Sequence, residues 1–317
     1  MKSILVTGAA GFIGSYLVEH HLQIGDKVYG VDNFCSSSPV SRHHRSAVSN
    51  KNYTFSRQDI ASSAFIQTHA HLSFDLIYNF ACPASPPIYQ NVPIETMMTC
   101  VVGTNNALSL ASAKTVFVQA STSEVYGDPM VHPQPEAYRG CVNSYGPRSC
   151  YDEGKRAAEA LCFDHTHKRG IDARLVRIFN TYGPRMDPHD GRVITNMIGQ
   201  TLAGKPMTIY GDGFQSRSFC YVTDMIRGIL ALGNLSSNPN TPINVGNPSE
   251  FTIIELAEKI KLRLGGSIEF LPLPKDDPKQ RQPDITLAKK ILDWEPRIDL
   301  DIGLDRMIEY MRATNDA

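Results

Sequence analysis

The segment TGAAGFIG, Thr7–Gly14, sets glycines at 8, 11 and 14 between a short apolar run, Ile4–Thr7, and a helix-patterned stretch, Phe12–Gln23. A strand that turns on glycines straight into a helix leaves backbone N–H groups exposed at the helix N-terminus with no side chains before them. A dinucleotide pyrophosphate needs that arrangement. The next apolar run, 28–32, ends in Asp32, eighteen residues past Gly14. A carboxylate there accepts hydrogen bonds from the adenosine ribose hydroxyls and repels a 2′-phosphate, so the coenzyme expected is NAD. A glycine turn serving packing alone would explain the glycines, but neither the helix nor the acid.

The alternation continues. Residues 53–60 and 75–81 read as third and fourth strands, 94–112 as a long helix, 115–120 as a fifth strand and 173–180 as a sixth. The stretch 35–51 shows no periodicity and reads as a loop, as does the Pro- and Gly-bearing 127–147. Strands alternating with helices predict an α/β fold, a Rossmann-type doubly wound parallel sheet covered on both faces. After Asn180 short apolar segments alternate with Pro- and Gly-rich loops. The division expected is therefore a dinucleotide-binding domain over 1–180 and a smaller, partly interleaved substrate lobe over 181–317. Residues 222–246 are expected to pack back onto the first domain.

With 31 basic and 32 acidic side chains and no block of like charge, the chain lacks the basic surface of a nucleic-acid binder. No apolar stretch reaches the roughly 18 residues of a membrane span. The N-terminus reads as strand and turn rather than a secretory leader. Seven cysteines without CxxC spacing suit free thiols in a reducing cytoplasm. Ten histidines without HExxH give no metal site.

Three further constellations carry chemistry. ASTSEVYG, Ala120–Gly127, ends the fifth strand. Ligands of open α/β sheets bind outside the carboxyl ends of the strands, so Thr122, Ser123 and Glu124 face any bound coenzyme. In SCYDEGKR, Tyr151 and Lys155 are four residues apart and share a helix face. A tyrosine with its ordinary pKa of about 10 is a poor base at neutral pH; a neighbouring ammonium and an oxidised nicotinamide would lower it. Lys155 would also hold the nicotinamide ribose. Taken alone, this spacing is common on solvated helix faces. Behind a nucleotide fingerprint and a Ser/Thr-rich strand end, it reads as an acid/base pair. Arg217, in the Gly-rich 210–224, and Arg281, between prolines in 276–285, are placed to grip a phosphate or carboxylate or else to sit in solvent.

TGAAGFIG, STSEVYGDP, YDEGK and RIFNTYGPR together resemble the extended short-chain dehydrogenases/reductases. ACPASPPIYQ (81–90), RSCYDEGKR (148–156), DGRV (190–193) and DDPKQRQPDI (276–285) narrow the resemblance to the UDP-glucuronate decarboxylases, also called UDP-xylose synthases, over nearly the whole chain. The resemblance implies NAD-dependent oxidation at C4 of the glucuronosyl ring, with Tyr151 taking the hydroxyl proton and Thr122 holding the same oxygen. Loss of CO2 from the resulting β-keto acid, protonation at C5 and return of the hydride then give UDP-xylose. It implies Glu124 and Arg281 as assisting groups around the carboxylate and C5. For the coenzyme it implies contacts from Gly8, Gly11, Phe12, Ile13, Gly14, Asp32, Asn33, Asp59, Ile60, Ala81, Tyr151 and Lys155. For the UDP-sugar it implies Pro83, Ser85, Ser123, Asn180, Arg185, Arg192, Val193, Tyr210, Arg217 and Arg281, with Arg217 on the diphosphate. It also implies a homodimer through the helices at 94–112 and 152–168.

Two positions depart from the family pattern. Cys100 stands where it usually has Asn, near the nicotinamide ribose. Asn143-Ser144-Tyr145-Gly146 replaces Asn-Pro-Ile-Gly, which puts Tyr145 at the expected pocket rim. The rival readings are a UDP-glucuronate 4-epimerase, a decarboxylase releasing the 4-keto sugar with NADH, and a catalytically silent NAD(H) binder. CPASPP and the Arg281 segment oppose the epimerase, and retention of both Tyr151 and Lys155 opposes the silent binder. Ser123 opposes UDP-apiose synthesis, which carries Cys there, and a dTDP-glucose 4,6-dehydratase, which carries Asp.

Overall fold

Ile4, Leu5 and Val6 are all fully buried, so the first strand is covered on both faces, as a central parallel strand must be. The computed structural model describes residues 1–37, 42–272 and 280–315. The first half runs β1 (Ser3–Thr7), α1 (Phe12–Gln23), β2 (Lys27–Asp32), α2 (Arg42–Val48), β3 (Tyr53–Arg57), α3 (Ser63–His69), β4 (Leu76–Asn79), α4 (Pro86–Asn91), α5 (Pro93–Met98), α6 (Thr104–Ser109), β5 (Val116–Thr122), α7 (Ser149–Arg169) and β6 (Asp172–Ile178). The second half runs β7 (Thr181–Tyr182), α8 (Val193–Leu202), β8 (Met207–Tyr210), β9 (Ser216–Ser218), β10 (Cys220–Tyr221), α9 (Val222–Gly233), β11 (Ile243–Val245), β12 (Glu250–Thr252), α10 (Ile253–Leu264), β13 (Ile268–Leu271), α11 (Thr286–Leu292) and α12 (Leu300–Asn315).

Seven strands form one parallel sheet in the order β11-β6-β5-β4-β1-β2-β3. The order reverses between β1 and β4, and a crevice opens there at the strands' carboxyl ends, where ligands of doubly wound sheets sit. Three two-stranded pairs, β10-β7, β12-β9 and β13-β8, build the second lobe. The chain returns from that lobe to the sheet: β11 pairs with β6, and α9 packs over β5 and β6.

Several elements differ from the sequence reading. The third strand stops at Arg57 rather than 60, because Asp59 turns the chain: its Oδ1 accepts from Ala61 N (2.8 Å) and its carbonyl from Ser62 N (3.0 Å). The fourth stops at Asn79, and Phe80 N and Ala81 N donate to Thr7 Oγ1 at 3.1 and 3.2 Å instead of continuing the ladder. The fifth runs on to Thr122. The stretch 35–51 is not all loop. It holds α2, whose His44 packs edge-on against Phe34 and Phe55; its residues 38–41 lie outside those described. The helix expected over 94–112 is interrupted. Pro93 starts α5, and a wide π-type turn, Thr99–Gly103, separates it from α6. Gly103 lets Ile60 close in: a Cβ there would sit 2.6 Å from the isoleucine side chain.

Candidate functional site

Gly8 begins the site with φ of +68°, and a Cβ on it would lie 2.7 Å from Phe80 O. Gly14 lets α1 press onto the turn, since its Cβ would fall 2.0 Å from Gly8 O. Gly11 caps α1 without a side chain, and no acid stands in the first turn. The helix end therefore presents N–H groups and a positive dipole to the crevice. Asp32 ends β2 beside it. Its Oδ2 accepts from Ala10 N (3.0 Å), and its Oδ1 from Phe34 N (2.8 Å) and Ser37 Oγ (2.9 Å). Glycine cradle and acid together fit the two ends of an adenosine diphosphate moiety.

From there a cavity of about 1220 Å³ runs across the strand ends into the second lobe. All the coenzyme, substrate and catalytic positions named from the sequence line this one cavity, from Gly8 and Asp59 at one end to Tyr210 and Arg217 at the other.

At its centre the end of β5 meets the start of α7. Thr122 caps the short 3-10 turn Ser123–Tyr126 by accepting from Glu124 N (3.2 Å). Tyr151 is 6% exposed, with its ring stacked on Tyr89 at 5.0 Å and 4°. Burial pushes the Tyr151 hydroxyl well above its ordinary pKa, and a hydrogen bond with Thr122 pulls the other way. The lowering expected from Lys155 is not what this geometry gives. The ammonium donates to Ala120 O (2.9 Å) and lies 5.7 Å from the Tyr151 ring centroid, so desolvation wins.

Glu124 sits in a cluster that the sequence reading only half saw. Arg281, 2% exposed, donates from Nη1 to Glu124 Oε1 (2.8 Å) and Ser123 Oγ (3.0 Å), and from Nη2 to Gly127 O (3.0 Å). Arg148 donates to Glu124 Oε2 from the other side at 2.5 Å. Burial opposes ionisation of Glu124, but the two guanidinium charges outweigh it and bring the carboxyl down to about 2. Glu124 is thus a carboxylate at neutral pH, an acceptor rather than a proton donor. Asp152 lies next to it, 3.9 Å from Arg148 on the following helical turn. Burial, helped by the charge of Glu124, raises Asp152 to about 7, and its Oδ1 has no hydrogen-bond partner among the described residues.

Sequence reasoning missed Arg148, Tyr89 and Asp152. Only spacing hinted at them: Arg148 precedes Tyr151 by three residues and Asp152 by four, the separations that share a helix face.

Asp152 gives a stability prediction. Its folded pKa of about 7 exceeds its ordinary 3.8, so the folded state holds this proton more tightly. The benefit is complete below the unfolded pKa and is lost as pH rises from about 4 to about 7. Asp152→Asn should therefore show a smaller fall in Tm between pH 5 and pH 8 than the parent. Parallel Tm-against-pH curves would remove Asp152 as the titrating group.

The remaining positions hold the periphery. Ser85 Oγ donates to Asp190 O, and Arg192 pairs with Asp190 at 2.5 Å. Arg185 lies over the Tyr16 ring at 3.9 Å and pairs with Glu19 on α1. Arg217 is on β9, opposite Phe251, and its Nη1 donates to Ser216 O (2.8 Å). Tyr145 does not form the rim; it is 94% exposed and outside the cavity lining. Cys100 is buried in the π-type turn behind the wall and does not line the cavity either. Among the described residues no cluster of three or more His, Cys, Asp or Glu is placed to hold a metal, and no helix is long and apolar enough to cross a membrane.

Comparison with known proteins gives consistent relatives. Residues 5–307 match the family described as GDP-mannose 4,6 dehydratase. The UDP-glucuronic acid decarboxylase 1 of Xenopus tropicalis is 46% identical over 314 residues, 98% of this chain and 72% of that protein. Its counterpart in Arabidopsis thaliana is 47% identical over 312 residues, 98% of this chain and 69% of that one. Among solved structures, the Thermotoga maritima UDP-glucose 4-epimerase with UDP-glucose superposes with a TM-score of 0.89 at 28% identity, covering 99% of both chains. The Bacillus cereus UDP-glucuronic acid 4-epimerase, in complex with UDP-glucuronic acid and NAD, gives 0.85 at 28% identity, covering 98% of this chain and 99% of that one.

Proposed function

The chain belongs to the GDP-mannose 4,6 dehydratase family and, within it, to the UDP-glucuronic acid decarboxylases, and we infer that it decarboxylates UDP-glucuronate with NAD as coenzyme. The observation that carries the reading is the carboxylate Glu124 clamped between Arg281 and Arg148 in the same cavity as Tyr151 and Thr122.

In this reading Gly8, Gly11, Phe12, Ile13 and Gly14 hold the pyrophosphate, and Asp32 and Asn33 the adenosine ribose. Asp59, Ile60 and Ala81 line the adenine and nicotinamide sides, and Lys155 takes the nicotinamide ribose. When bound, NAD supplies a hydride acceptor at sugar C4 and returns that hydride at the end of the cycle. Tyr151 takes the C4 hydroxyl proton, with the Thr122 hydroxyl on the same oxygen. The ketone at C4 makes the C6 carboxylate a β-keto acid. As the C5–C6 bond breaks, its electrons pass into an enolate whose oxygen Tyr151 and Thr122 hold, and a proton taken from water at C5 restores the ketone. Burial makes Tyr151 reluctant to stay ionised, so the tyrosinate draws the C4 hydroxyl proton strongly; it gives that proton back when the ketone is reduced. Glu124 and Arg281, with Ser123, order the surroundings of C5 and the departing CO2. Asn180, Arg185, Arg192, Val193 and Tyr210 face the nucleotide, Pro83 and Ser85 the sugar, and Arg217 the diphosphate.

The proposed division of labour is 1–180, with 222–246, for the coenzyme and 181–317 for the sugar nucleotide. The pairing of β11 with β6 supports the interleaving. The test is to supply the purified protein with UDP-glucuronate and NAD. UDP-xylose and CO2 without accumulating NADH are expected. CO2 with stoichiometric NADH would mean that the 4-keto sugar is released, and UDP-galacturonate without CO2 would replace the reading by an epimerase.

A homodimer through α5, α6 and α7 belongs to the same proposal. Ile94, Met98 and Val102, spaced four apart, are 72%, 45% and 37% exposed, and Phe163 on the adjoining α7 is 60% exposed. An apolar stripe of this kind suits a two-fold helix interface. Sedimentation should give a dimer for the parent and a monomer for Met98→Glu/Phe163→Glu; a monomeric parent would sink the proposal. The seven free cysteines favour a reducing cytoplasm as its location.

A further inference from the structure

Two sulfurs meet behind the cavity wall. Cys82 follows β4 in the segment that also carries Ala81, Pro83 and Ser85, and it lines the cavity. Cys100, eighteen residues on, lies in the π-type turn. Both are free thiols, and their Sγ atoms are 3.3 Å apart. A disulfide needs about 2.05 Å, so a little over 1 Å of approach would join them.

The surroundings decide which one moves. α7 presses on Cys100 at Gly154, where an added Cβ would lie 3.0 Å from Cys100 Cβ and 3.2 Å from its Sγ. Cys100 is therefore held from behind, and Cys82 has to come to it. Cys82 is tethered lightly, its Sγ lying 3.3 Å from Pro83 O. The hydrogen bond from Cys82, with the charge of Lys155, pulls the Cys100 thiol below its ordinary pKa, while sharing that proton pushes Cys82 up. The pair thus carries its first negative charge more readily than an isolated buried thiol would.

We propose that Cys82 and Cys100 are a peroxide-oxidisable dithiol whose disulfide draws the 81–90 wall out of its working position, and that bound coenzyme shields it. One sulfur, as thiolate, attacks an oxygen of hydrogen peroxide: an S–O bond forms, the O–O bond breaks, and hydroxide leaves to become water. The second sulfur attacks the sulfenic sulfur: the S–S bond forms, the S–O bond breaks, and a second water leaves. Two thiols lose two electrons and two protons, and one peroxide becomes two waters. A thiol reductant reverses the change. Displacing catalytic surroundings by about 1 Å costs on the order of 100-fold in rate. That inhibition, with the coenzyme shielding, rests on the functional reading above; disulfide formation does not.

The test uses the full, reduced chain and a modest excess of hydrogen peroxide. Trypsin cuts after Arg57 and Lys114, and the fragment between them holds both cysteines and no others. That fragment should lose two hydrogens and resist alkylation until dithiothreitol is added, and excess NAD should slow the change. Turnover should fall by about 10- to 100-fold in step with the bridge and recover with the reductant. In Cys100→Ser the bridge cannot form, and turnover, whatever its starting value, should no longer fall reversibly. A fragment of unchanged mass in the oxidised parent overturns the proposal, and so does a bridged protein with unaltered turnover. If the reduced protein fails to turn over UDP-glucuronate at all, the functional reading fails, while the mass measurement still decides on the dithiol.

Discussion

Replacing Tyr151 by Phe should lower kcat by about 10³- to 10⁴-fold with little change in Tm or in NAD affinity. The phenyl ring keeps the stack on Tyr89, and only the hydroxyl facing Thr122 is lost. Because burial holds that hydroxyl above its ordinary pKa, the parent's rate should climb with pH until the tyrosine, aided by the positive charge of the bound coenzyme, ionises. The variant's residual rate should lack that limb. A variant within tenfold of the parent, or one that keeps the same pH limb, would assign the proton transfer to another group.

Arg281→Met should be the most damaging change outside the proton-transfer pair. The guanidinium is almost wholly buried and serves Glu124, Ser123 and Gly127 O together. Its removal leaves those acceptors unserved and Glu124 dependent on Arg148. Breaking a buried ion pair by removing one partner costs about 3–5 kcal/mol, so a clear drop in Tm is expected. Turnover should fall by about 100-fold or more. The pH profile separates the electrostatic effect from simple damage. Glu124, depressed to about 2 from its ordinary 4.5, contributes stability that is present above the unfolded pKa and is lost as pH falls towards 2. Without Arg281 the carboxyl pKa rises, and the acid limb of kcat should move towards neutrality. Arg281→Lys, which keeps charge but not the fork, should restore part of the limb's position and less of the rate. Loss of activity with an unmoved acid limb would mean that Arg281 only supports the fold.

The parts of the site that were legible in the sequence are those whose chemistry is local. Gly8, Gly11 and Gly14 report a turn and a helix start, and both depend on neighbours a few residues away. Tyr151 and Lys155 report a shared helix face through spacing alone. What stayed hidden depends on long-range packing. The stack of Tyr89 on Tyr151 joins residues 62 apart, and the burial of the Tyr151 hydroxyl, not any neighbour in sequence, sets the direction of its pKa. The second arginine on Glu124 was hidden for the same reason: a guanidinium three residues before Tyr151 reads as solvated until the end of β5 delivers a carboxylate to it. The π-type turn at 99–103 and the helix inside 35–51 were missed because Ile60 against Gly103, and Phe34 with Phe55 against His44, are tertiary contacts that sequence periodicity does not record.

The pairing of the segment around Gln134 with that around Gln282 has a consequence for how the molecule is made. Gln134 N donates to Gln282 O (2.9 Å), Asp284 N donates to Gln134 O (3.0 Å), and Arg281 lies in the strap so fastened. A nascent chain that has emerged only through β13 holds the glycine cradle, Tyr151, Lys155 and Arg217, yet its Glu124 still lacks Arg281. The glycine cradle can therefore form during synthesis before the strap carrying Arg281 has emerged to complete the cluster around Glu124.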